Sequence, residues 1–60
     1  MKLKIHYTLW NKYGEPFDDW IVVKGETDEE ATEIGRAELA KRGITEDTYN
    51  KNCVWSEVLK

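Results

Sequence analysis

Only a few residues in this chain have side chains that could do covalent or metal chemistry. There is one histidine, His6, one cysteine, Cys53, and an excess of carboxylates. A lone histidine in a strand pattern reads as a surface or edge residue rather than a general base. Cys53 lies in an apolar run, which predicts a packed, inert thiol. With one cysteine, an intramolecular disulfide and a cysteine-pair metal site are both excluded. The carboxylates fall in a turn and at a helix start, not in apolar surroundings that would raise their pKa for acid–base work. Asp28-Glu29-Glu30 has no calcium-loop alternation around a central glycine, and no glycine-rich phosphate loop is present. The residues therefore predict a non-enzymatic protein with no catalytic residue, cofactor or metal ligand. The chemistry left over belongs to surfaces, where Trp10, Trp20 and Trp55 stand out.

Charge is the second surface feature. The formal net charge is −3, but the segment Glu15–Glu33 holds eight acids against the single base Lys24, and the rest holds four acids against eight bases. Acids collect at turns and helix starts because those positions favour them locally. The same concentration at Glu26, Asp28, Glu29, Glu30 and Glu33 could also steer the chain toward a basic partner surface.

These residues are positioned by a helix flanked by strands. In the stretch Glu26–Gly43, Thr27 and Glu30 form a capping-box pattern, with the Thr27 hydroxyl on the Glu30 N–H and the Glu30 carboxylate on the Thr27 N–H. Acids fill the first turns, and Arg36, Lys41 and Arg42 lie toward the other end. Gly43 predicts a left-handed cap with Ile44 folding back on the last turn. At 100° per residue the buried face is Ala31, Ile34, Gly35 and Leu39, with Ala37 flanking. Gly35 disfavours a helix interior, so its presence predicts close approach to whatever the helix covers.

Lys2–Trp10 alternates, with Leu3, Ile5, Tyr7 and Leu9 on one side and Lys4, His6, Thr8 and Trp10 on the other, as in a half-buried strand. Asn11–Asp18 carries turn chemistry, on which Tyr13 and Phe17 are expected to pack. Asp19–Lys24 reads as a second strand pairing back on the first. Thr45–Lys51 reads as a polar loop with a short helical turn and Tyr49 anchored to the core. Asn52–Leu59 reads as a third strand with Val54 and Val58 inward and Cys53, Trp55 and Glu57 outward in one register, and the reverse set if the pairing slips by one residue. The prediction is a single α+β domain over residues 1–60, β-β-α-β, with a three-stranded antiparallel sheet in order 2-1-3 and the helix on one face. In the first register the uncovered face would then carry Trp10, Trp20 and Trp55, with His6 and Lys4 near them.

The helix start Glu26-Thr27-Asp28-Glu29-Glu30-Ala31, set between strands, resembles that of very small phage-encoded inhibitor proteins, the T7-type host RNA polymerase inhibitor among them. That resemblance covers mainly residues 20–36, and the arginines of the T7-type inhibitor have no match here. It implies a phage or mobile-element accessory protein that binds and inhibits a host protein, in the cytoplasm of a bacterial host. No run is long and apolar enough for a membrane span, and Met1-Lys2-Leu3-Lys4 leads into no signal-peptide core. Read this way, the acidic helix edge and the aromatic face together engage a host protein with a basic surface. A homodimer through the aromatic face is the alternative. A single-strand nucleic-acid platform built from Lys2, Lys4, Lys24 and the tryptophans is a third reading, against which the net acidity weighs.

Overall fold

A computed structural model describes all 60 residues. The chain runs β1 (Lys2–Trp10), β2 (Pro16–Lys24), α1 (Asp28–Lys41), a 3₁₀ turn at Glu46–Thr48, and β3 (Trp55–Leu59). The sheet order is β2-β1-β3 and both pairings are antiparallel, which is the expected α+β topology. The hairpin loop is shorter than the turn residues implied, because β2 starts at Pro16 rather than Asp19. Asn11 is the reason. Its side-chain oxygen accepts the N–H groups of Tyr13 (2.8 Å) and Glu15 (3.0 Å), and its own N–H donates to the Glu15 carbonyl (3.0 Å). This closes the turn and sets Trp10 opposite Pro16, at the start of an edge strand, where a missing N–H is tolerated. Tyr13 and Phe17 do not pack as expected and are exposed.

At the helix start Thr27 Oγ1 accepts the Glu30 N–H at 3.1 Å, so the hydroxyl half of the predicted box is formed. At its end the Gly43 N–H donates to the Ala40 carbonyl (3.0 Å) and the Ile44 N–H to the Leu39 carbonyl (2.9 Å), a Schellman arrangement. Hydrogen bonds from Lys41 and then Arg42 hold the half-exposed Glu38 carboxyl below its ordinary range. The helix rests on Ala31, Gly35 and Leu39, and a Cβ added to Gly35 would overlap Ile5 Cδ1. Close approach thus accounts for the glycine. Ile34, expected on this face, is exposed. Contact is closest at Gly35, and a residue one position away is rotated about 100° off that line.

The third strand differs most from expectation. It begins only at Trp55, and Asn52 is a buried anchor in the preceding turn. Its Nδ2 donates to the Thr8 carbonyl (2.8 Å), its carbonyl accepts the Thr8 N–H (2.7 Å), and its N–H donates to the Thr48 carbonyl (2.8 Å). Cys53 follows in the left-handed region (φ 52) and is exposed, so the packed thiol predicted here is not observed: the turn that buries Asn52 swings Cys53 outward. Asn52→Ala is expected to lower stability by about 1–2 kcal/mol, since it strips a partner from a partly buried carbonyl. A urea titration with an unchanged midpoint would refute that anchoring role. Tyr49, by contrast, packs against the core as expected.

The core joins Leu3, Ile5 and Tyr7 of β1 to Val23 of β2, the helix seat and Ile44. The helix contacts β1 and β2. Val58 lies on the helix side, opposite Leu3, yet is 58% exposed. It was predicted inward, and its orientation is as predicted, but nothing covers it. One helix about 10 Å wide spans roughly two strands spaced about 4.8 Å apart. A groove between α1 and β3 remains, floored by Leu3, Ile5 and Leu39 and flanked by Val54 and Arg36.

Candidate functional site: the open face of the sheet

Residues directly opposite one another on paired strands share a face. The register sets His6 against Trp20 on one side and against Trp55 on the other. Trp20, His6 and Trp55 therefore form one row across all three strands, on the face away from the helix. The next row toward the β1 start is Val22–Lys4–Glu57, and beyond it lie Lys24, Lys2 and Leu59. On the opposite side of the tryptophan row are Asp18 with Thr8, then Pro16 with Trp10. The expected outward set of Trp10, Trp20, Trp55, His6 and Lys4 is thus gathered on one surface.

The row is held by specific contacts. The His6 and Trp55 rings stack with centroids 3.8 Å apart and planes 3° from parallel. His6 Nε2 lies 2.7 Å from Glu57 Oε2, a hydrogen bond that ties the β1 imidazole to β3. Lys4 Nζ sits 4.6 Å from the Trp20 ring centroid, a cation–π distance. Thr8 Oγ1 donates to Asp18 Oδ1 at 2.7 Å. Glu57, which orients the imidazole, was expected to point outward, but its role was not legible because it depends on the β1–β3 register.

Two rings from neighbouring strands stacked in this way stand on edge across the sheet. One π face of each is covered by the other, and Lys4 occupies a face of Trp20. Trp10, Trp20 and Trp55 keep 42%, 55% and 55% of their surface exposed. Three indoles at that exposure present on the order of 350 Å² of largely apolar surface, Trp10 being set apart from the other two by the Thr8–Asp18 pair.

The acidic candidates lie elsewhere. Glu26, Asp28, Glu29, Glu30 and Glu33 are exposed on the helix and its approach, across the sheet from the tryptophans. Asp28, Glu29 and Glu33 flank a shallow hollow with Thr32 and Arg36, and Arg36 pairs with Glu46 at 2.9 Å and Glu33 at 3.8 Å. The acidic edge and the aromatic row are not one contiguous surface. The chain has no group of three or more histidine, cysteine or acidic residues arranged to hold a metal ion, and no helix long and apolar enough to cross a membrane.

Comparison with known proteins gives no matching family model, and no curated protein or solved structure of significant similarity. The fold itself is a small α+β unit with three antiparallel strands and one helix.

Proposed function

We propose that the protein is a non-enzymatic protein-binding module whose contact surface is the open face of the sheet. The observation that carries this reading is the row Trp20–His6–Trp55, aligned across three strands and left exposed in a chain with few large core residues. Tryptophan is the residue type most enriched among energetically dominant interface positions. Large aromatic surface placed outward while alanine and glycine seat the helix is hard to explain by packing alone. The acidic helix start faces the other way, so its contribution is long-range steering and not docking. In the setting that the phage resemblance implies, a host protein is held on this face and inhibited by being held.

The test separates surface from core. Trp10→Ala and Trp20→Ala are expected to leave the urea midpoint nearly unchanged while weakening partner capture at least tenfold, about 1.4 kcal/mol per indole. Capture is read by affinity pull-down from a bacterial lysate at equal loading, washed at low and high salt. Collapse of the circular-dichroism spectrum in either variant would make these tryptophans structural and overturn the reading.

A further inference from the structure

We propose that, in the free protein, the open face is closed by a second copy of the chain, the two sheets packing face to face about a twofold axis that runs across the strands through the His6 row. The inference rests on the reading of that face as the contact surface and names its occupant. Three features of the face support it.

The first is polarity along the strands. Lys2, Lys4 and Lys24 gather at one end, where Glu57 offsets one of the three charges and is bound to His6, while Asp18 and Trp10 occupy the other, with the Trp20–His6–Trp55 row between. The loop beyond Trp10 adds Lys12 and Glu15, which cancel. Two such faces can meet about an axis parallel or perpendicular to the strands. The parallel axis stacks the lysine ends on each other and opposes like charges at close range. The perpendicular axis sets Lys2 on the other copy's Trp10 and brings Lys4 and Lys24 diagonally beside its Asp18, one strand or one row away, which supplies cation–π contacts and charge pairing. The face is self-complementary in that one orientation, and the His6 row, lying on the axis, meets its own equivalent.

The second feature is area. Three strands about 4.8 Å apart, with nine residues at about 3.3 Å each in the longer two, and their side-chain relief, give on the order of 600 Å² per copy. The total of about 1,200 Å² lies at the lower bound for stable, specific interfaces. Association is therefore expected in the micromolar range.

The third is filling and polar satisfaction. Sheets packed face to face stand about 10 Å apart, a gap that large side chains such as the indoles and Val22 fill. The charges nearest the centre already have contacts inside each copy, Lys4 over Trp20 and Glu57 on His6, which lowers the cost of closing the face over them.

Sedimentation equilibrium of the full chain from about 1 µM to about 1 mM at low salt tests this. The expected result is a reversible rise in mass from 7.1 kDa to twice that value. Lys4→Glu and Asp18→Lys are each expected to weaken the dimer about tenfold or more, and the double variant to return within about threefold of the parent, because the swapped charges meet again across the axis. Circular dichroism on the same samples confirms folding. A constant monomer mass overturns the proposal, as does a dimer indifferent to both reversals and to Trp20→Ala, which would locate the contact elsewhere. A monomer whose Trp20→Ala variant stays folded and loses its captured protein sinks the second copy and leaves the open-face reading standing. Unfolding of the tryptophan variants sinks the open-face reading itself.

Discussion

Replacing Gly25 by alanine is expected to remove about 3 kcal/mol of stability, toward the upper end for overpacking at a site that cannot give. Gly25 is buried at the β2–α1 junction, and its N–H donates to the Met1 carbonyl at 2.9 Å, carrying the ladder one pair past Lys24. A Cβ there would lie 2.6 Å from the Ala31 amide nitrogen and 3.0 Å from its Cα. Both neighbours are backbone, Ala31 is fully buried, and its N–H makes the first helical hydrogen bond, to Thr27 (3.0 Å). Relief requires lifting the helix start off the sheet and disturbing the Thr27 cap. A chain of 60 residues without a disulfide holds roughly 3–5 kcal/mol in all, so the variant is expected to be substantially unfolded at 37 °C. Gly43→Ala is the comparison. Its φ of +79 penalises a side chain, but nothing lies within 4 Å of the added Cβ, and about 1 kcal/mol is expected. Urea titrations in which Gly43→Ala proves the worse of the two would refute the close-approach account of Gly25.

Ile44→Ala is expected to cost about 3 kcal/mol, and Ile34→Ala, which removes a partly covered side chain, about 1 kcal/mol. Ile44 is 1% exposed although it lies outside every helix and strand. Its N–H closes the helix end on Leu39, and its side chain completes the core that Leu39 and Tyr7 begin. Truncation leaves a cavity where the helix end turns back. Ile34 sits mid-helix, where apolar periodicity would place a core residue, but it lies at the rim with 38% of its surface exposed. Equal losses of stability in the pair would mean that the helix rests on a different stripe from Ala31, Gly35 and Leu39.

The β-β-α-β order, the strand alternation of Lys2–Trp10, and the Thr27 and Gly43 helix ends were legible in the residues, whereas the outward position of Trp55 waited on the register of the third strand. The former follow from near-neighbour rules: strand period, cap chemistry, and the identity of faces once pairing is antiparallel. What escaped this reading turns on contacts between residues far apart in sequence. Asn52 looks like the first residue of a strand until the Thr8 backbone lies beside it. Ile34 looks buried until Gly35 brings the helix down along another line. Val58 looks buried until the helix is seen to lie on β1 and β2 alone.

The candidate site divides in the same way. Its aromatic members and the outward side of Trp10 and Trp20 come from the sequence by alternation. The alignment of Trp20, His6 and Trp55 in one row, and the grip of Glu57 on His6, come from the register of strands that are 10 to 50 residues apart. The separation of the acidic helix start from the tryptophans is also decided by the tertiary structure, because a helix lying on one face of a sheet puts the sheet between its charges and the other face. Local chemistry determined what each residue could offer this protein, and the packing of one narrow helix on three strands decided which of those offers share a surface.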